Sequence, residues 1–360
     1  MGFIKNAIES FLLNAINVDR YLPIQLDITN ACNLKCVHCY HPHHKNDGAI
    51  SLNDWKNILL QYKKMILKMK FRPMVMICGG EPLTSPFLFQ LMDFIKLEMP
   101  VAKISILSNG TLLTAATALK LKSYSDLKFQ ISLDGPDAVR HDMIRGRGNF
   151  EKAMAGIRLL QSHNFEVNVL SVLSQKTAPW MEDFFKLARS ENFGSMNFVR
   201  FVPEGYGRKL LENTEDQPLL GSALKVAYQK LIHLIVKYQV NSKTQAPLFD
   251  LVIPGAGRSG RYWESLVIDY QGYVIASSRS KLRLGHAIVD GLENIFLNHP
   301  IYHSLRQGKV DVCGTCSLNS VCGGDRNAAY AATGNFLGPD PGCWKQESEK
   351  EQKTFTRRAL

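Results

Sequence analysis

Ala31-Cys32-Asn33-Leu34-Lys35-Cys36-Val37-His38-Cys39-Tyr40 is the stretch on which the reading of this chain turns. Three residues separate the first two cysteines and two separate the second pair. Three thiolates on one short loop can hold three irons of a cubane cluster and leave the fourth iron open to a substrate or cofactor. A disulfide framework would want an even count, and a structural zinc would want a fourth ligand nearby. His38, His41, His43 and His44 keep zinc open as an alternative at this point.

Outward from the loop, the chain alternates strand and helix. Residues 5–17 have Phe11, Leu12, Ala15 and Ile16 at helical spacing. Strands are expected at Pro23–Thr29, Met74–Cys78, Lys103–Leu107, Lys128–Leu133, Glu166–Val172 and Met196–Val202. Helices are expected from the Ser51 cap to Met69, and at Pro86–Leu97, Leu112–Leu121, Phe150–His163 and Pro179–Ser190. Strands alternating with helices of this length argue for parallel β/α units, an α/β fold built as an open or partial barrel. The chemistry of such folds sits at the C-terminal ends of the strands. The notable turns fall there, in order: Gly79-Gly80-Glu81-Pro82, then Ser108-Asn109-Gly110, then Ser132-Leu133-Asp134-Gly135 followed by His141-Asp142 and Arg145. Cys78, on an apolar strand before the glycine turn, reads as a buried thiol.

Together, the cysteine spacing and the ordered turns resemble the radical S-adenosylmethionine (radical SAM) enzymes over roughly residues 20–205. The resemblance implies a partial (β/α)6 TIM barrel and a four-iron cluster on Cys32, Cys36 and Cys39 that binds SAM. It implies that Gly79, Gly80 and Glu81 meet the amino group of SAM, and that Ser132 and Arg145 meet its carboxylate or ribose. Asn109 would lie near the ribose, Tyr40 near the cluster and adenine, and Asn168 at a polar position on the fifth strand.

A second set, Cys313, Cys316, Cys322 and Cys343, can close a metal site completely. Its text resembles the SPASM and twitch extensions of radical SAM enzymes, which implies a small C-terminal iron–sulfur domain with one auxiliary four-iron cluster. A further, proximal cluster of the full SPASM form looks lost. The hairpin Asp269–Ser278 has Ser277 and Ser278 where a cysteine is usual, and Asp325 or Arg326 stands at the other expected position. The expected organisation is an N-terminal helix (1–20), the barrel (21–205), a bridging helical region (206–262), the auxiliary-cluster domain (263–346) and a charged tail (347–360).

The 360 residues suffice for one large domain and a smaller one. Apolar residues make up 45%, and no apolar run is long enough to span a bilayer. No signal-peptide pattern opens the chain. The expectation is a cytoplasmic protein, whose eight cysteines serve metal or redox chemistry rather than disulfides. Net charge is +11. It suits an acidic partner such as a leader peptide, or simply a solvated basic surface. No long basic run is interleaved with aromatics, so a nucleic-acid groove has no support.

The resemblance favours a ribosomally made precursor peptide as substrate. With about 20 residues before the barrel, a separate small recognition protein is expected, and flavodoxin or ferredoxin as electron donor. The text from Cys322 to Tyr330 is also similar to radical SAM enzymes of haem synthesis, so a tetrapyrrole is the alternative, with Arg200, Arg208, Arg258 and Arg261 as candidate cations for its carboxylates. An electron carrier would need no SAM pocket. Asp250, Asp269, Tyr206 and Glu204 lie in plausible catalytic regions, with nothing to rank them.

Overall fold

The computed structural model describes residues 20–41, 45–244, 246–253 and 265–346. The expected helix at 5–17, the charged tail, His43, His44, Arg258 and Arg261 lie outside the described residues.

Six parallel strands run in chain order: β1 (Tyr21–Asp27), β2 (Arg72–Cys78), β3 (Lys103–Ser108), β4 (Leu127–Ser132), β5 (Val167–Leu173) and β6 (Ser195–Arg200). All six expected strands are present, with ends displaced by no more than two residues. The linking helices are α1 (Leu52–Met69), α2 (Leu88–Glu98), α3 (Ala115–Leu121), α4 (Ala138–Arg145), α5 (Asn149–Ser162) and α6 (Met181–Ser190). Helix α4 was not expected. Asp137 caps it by accepting from the Arg140 amide, and it delivers Arg145 to the barrel mouth.

Alternation explains the layers. Along β5, Val167, Val169, Ser171 and Leu173 are buried, whereas Asn168, Leu170 and Val172 are half-exposed on the other face. One face thus packs on helices and the other lines an open lumen. Helix α1 shows the matching stripe: Trp55, Ile58, Leu59, Tyr62, Met65 and Ile66 are buried. Ser51 and Asp54 form a reciprocal capping box at its start, and Lys70 ends it in the left-handed conformation.

Beyond the barrel come α7 (Gly207–Glu212) and α8 (Gly221–Tyr238), then β7 (Leu266–Ile268), β8 (Tyr273–Ile275) and β9 (Arg283–His286). Helices α9 (Leu292–Asn298), α10 (Pro300–Arg306) and α11 (Arg326–Thr333) follow. The sheet does not stop at the barrel. Its order is β6-β5-β4-β3-β2-β1-β7-β8-β9, with β7 parallel to β1 and the β8–β9 hairpin antiparallel. The C-terminal region is therefore laid directly against the strand that feeds the cysteine loop. No helix among the described residues is long and apolar enough to cross a membrane.

Candidate active site

The first cysteine loop leaves the C-terminal end of β1. Cys36 is buried, whereas Cys32 and Cys39 are partly exposed. N–H donors approach the sulfurs: Leu34 N lies 3.4 Å from Cys32 Sγ, Asn109 Nδ2 3.9 Å from the same atom, and Arg145 Nη1 3.8 Å from Cys36 Sγ. Burial raises the Cys32 and Cys36 thiols and pushes Cys39 up to about 12. Ligation to iron would hold these groups as thiolates against the effect of burial. The two described histidines of this loop lie beside carboxylates. His38 Nε2 is 2.8 Å from Asp134 Oδ2, and His41 Nε2 is 4.0 Å from Asp27. Among the described residues no three ligating side chains meet around a single ion. This donor set fits a four-iron cluster.

The glycine turn after β2 is zipped onto the chain entering that loop. Gly80 N donates to Thr29 O (2.8 Å) and Glu81 N to Ala31 O (2.9 Å). A Cβ on Gly79, whose φ is +130°, would overlap the Thr29 carbonyl, and one on Gly80 would overlap that of Ala31. These glycines serve the approach of two backbones. The Glu81 carboxylate is fully buried and accepts from Ser108 Oγ (2.8 Å), Asn109 N (2.7 Å) and Leu83 N (3.2 Å). Burial raises its pKa, and these donors oppose the rise. It ties the turn to the end of β3. Asn109 in turn bridges Asn33 Oδ1 (2.9 Å) and Cys32 Sγ.

After β4, Asp134 gathers three elements. Its Oδ2 accepts from His38 Nε2 and from Arg145 Nε (2.5 Å), and its Oδ1 accepts from Val172 N (2.8 Å). Burial alone would raise its pKa, but Arg145 and His38 hold it well below the usual carboxylate range. Ser132 ends β4, half-exposed on the lumen face. Asn168 does not join the group. It lies at the start of β5, the opposite end of the strand, and accepts from Ser195 Oγ (2.5 Å). A strand's polar residue reaches the site only near its C-terminal end.

Between β1, the cysteine loop and the β8–β9 hairpin lies a cavity of about 530 Å³. Asp27, Tyr40, Lys45, Glu204, Asp269 and Lys281 are among its lining residues. The Cys78 thiol and the Tyr40 hydroxyl lie close to Asp27. Gln25 Nε2 donates to Asp27 (2.8 Å). Burial pushes the Asp27 carboxyl up to about 7, with Gln25 opposing and Asp269 adding to the rise. Sequence reasoning missed Asp27 and gave Asp134 no role. The available signal for Asp27 was an acidic residue closing an otherwise uncharged strand.

In the second set, Cys313 and Cys322 are buried, Cys343 half-buried and Cys316 exposed. Burial pushes Cys322 up to about 12 and raises Cys343. Arg326, 1% exposed, donates to Gly338 O (2.6 Å) and lies 3.7 Å from Cys313 Sγ. Asp325 caps α11 by accepting from Asn327 N and Ala328 N. Both residues are thus engaged in folding this segment. Arg200 is no cavity cation either. It is 4% exposed and forms a bidentate pair with Asp340 (2.9 and 3.1 Å), with Asp325 at 3.6 Å. Arg208 pairs with Glu204 at 3.0 Å. Asp250 is buried, and the Tyr206 amide donates to Cys39 O (2.8 Å).

The family model of the radical SAM superfamily matches residues 26–188. The chain is 26% identical to an AdoMet-dependent heme synthase of Methanosarcina barkeri, covering 91% of this chain and 97% of that protein. It is 29% identical to the mycofactocin maturase MftC of Mycobacterium tuberculosis, covering 92% and 85%. Streptococcus suis SuiB bound to S-adenosylmethionine shares the fold, with a TM-score of 0.67 at 17% identity, over 90% of this chain and 77% of that one.

Proposed function

Because this chain belongs to the radical SAM superfamily and is an enzyme of it, we propose that it modifies a ribosomally made precursor peptide. Bound SAM and its four-iron cluster would supply a 5′-deoxyadenosyl radical for abstraction of a substrate hydrogen atom. Cys32, Cys36 and Cys39 would hold that cluster. Asn109 and Arg145 present N–H groups to its sulfurs, and Ser132 and Tyr40 stand on the lumen side. Cys313, Cys316, Cys322 and Cys343 would hold a closed auxiliary cluster suited to electron transfer or to stapling the fold.

One observation carries the choice of substrate. The cavity beside the loop carries both signs of charge: Asp27, Glu204 and Asp269 with Lys45, Arg279 and Lys281. A peptide, with donors, acceptors and mixed charge, suits such a lining. Of the arginines considered for a porphyrin's carboxylates, Arg200 is already held by Asp340 and Arg208 pairs with Glu204. The heme-synthase relative supports tetrapyrrole modification as the second reading. A separate recognition protein and a flavodoxin or ferredoxin donor belong to the peptide reading.

The test is anaerobic co-expression with short open reading frames encoded beside the gene, followed by mass spectrometry and by measurement of deuterium uptake from solvent. An altered peptide is expected. If no peptide changes by either measure while a porphyrin triggers 5′-deoxyadenosine formation, the tetrapyrrole reading replaces it.

A further inference from the structure

Asp134 is a fully buried carboxylate, and it organises the back of the first cysteine loop. Each of its oxygens has a defined role. Oδ1 is anchored to β5 through Val172 N, at 2.8 Å. Oδ2 receives His38 from within the loop itself and Arg145 from the end of α4. A guanidinium is planar and presents N–H groups along several edges. Arg145 uses Nε on Asp134, and this directs Nη1 to 3.8 Å from Cys36 Sγ. The side chain is only 12% exposed, so water screens its charge poorly. A lysine ammonium is a compact point charge and lacks this fixed, two-edged arrangement of donors.

We propose that Asp134 is a positioning residue that, with His38, fixes Arg145 so that its outer edge delivers a charged N–H to Cys36 Sγ. The effect is on the cluster held by that sulfur. Positive charge and N–H donors at cluster sulfurs stabilise the reduced, more negative state and so raise the reduction potential. The inference rests on the reading of Cys32, Cys36 and Cys39 as cluster ligands.

The experiment is a redox titration of the anaerobically reconstituted protein, followed by electron paramagnetic resonance. The spectrum of the Cys32, Cys36 and Cys39 triple alanine variant is subtracted, so that the first cluster is seen alone. Arg145→Lys keeps a cation for Asp134 but gives up the N–H to sulfur, and is expected to move the potential to a more negative value. Asp134→Ala is expected to move it in the same direction. Loss of a negative charge alone would move it the opposite way, so the sign separates positioning from simple electrostatics. The double variant should go no further than the larger single one. An unchanged potential in Arg145→Lys, or a more positive one in Asp134→Ala, overturns the proposal; if Asp134→Ala does not fold, Arg145→Lys decides it. A wild-type protein with no cluster on the three cysteines overturns the underlying reading as well, and iron analysis distinguishes that case.

Discussion

Asp27 is 2% exposed at the cavity wall, and its neighbours offer hydrogen bonds but little positive charge. Its carboxyl, near 4 in an unfolded chain, is pushed up to about 7. Between those values the folded state keeps a proton that the unfolded state has lost. Stability from this group is therefore full below about pH 4 and declines as the pH rises to 7, by on the order of 4 kcal/mol. Asp27→Asn removes that dependence. Thermal melts of the reconstituted protein at pH 5 and pH 8 should show the variant gaining on wild type at the higher pH. A constant difference between the two would refute the assignment. The Glu81 carboxylate, by contrast, is buried among three hydrogen-bond donors that oppose the rise in pKa that burial causes.

At the scale of elements, the turn after β2 and the cap of α1 are separable tests. Gly79 adopts φ +130°, and a methyl group there meets the Thr29 carbonyl. Gly79→Ala should cost at least ~1–3 kcal/mol from backbone conformation alone. It should also displace the entry to the cysteine loop, lowering iron content at the first site. Normal iron and a normal denaturation midpoint would show that the turn yields. Ser51→Ala, by contrast, removes a reciprocal cap at the start of α1. It should lower stability by ~1 kcal/mol in urea titrations and leave iron content unchanged. A loss of iron would mean that α1 transmits its position to the loop.

For the whole molecule, two of the junctions between the C-terminal region and the barrel are β7 on β1 and Arg200 of β6 on Asp340. The second junction is a buried ion pair, so removing one partner leaves a charge stranded, at a cost of about 3–5 kcal/mol. Gly342 sits against the guanidinium, where a Cβ would overlap it. Arg200→Met should therefore release iron from the second cysteine set before the first and expose residues 313–346 to limited proteolysis. Equal iron loss from both sites would mean that the two regions unfold as one. Reconstituted wild type should hold about eight irons, as two four-iron clusters. About twelve would bring Ser277, Ser278 or Asp325 in as a ligand, and four irons with one zinc would assign zinc to the second site.

The order of strands and helices was legible from local pattern. Apolar alternation along β5 and the Ser51 cap are properties of short segments, and neighbouring parallel strands follow from short connections. The cysteine spacing and the glycine turn were legible for the same reason. Side-chain partnership was not. Arg200 reads as a free cation until Asp340, 140 residues away, closes on it. Asn168 reads as a site residue until its height on β5 is known, and α4 hid in a polar stretch whose packing surface lies on other elements. Asp27 and Asp134 acquire their roles from Cys78, Asp269, His38 and Arg145, brought beside them by the sheet. Local pattern fixes backbone conformation because those forces act between near neighbours. The ionisation and reach of a buried group depend on contacts made across the chain, and only the tertiary structure supplies them.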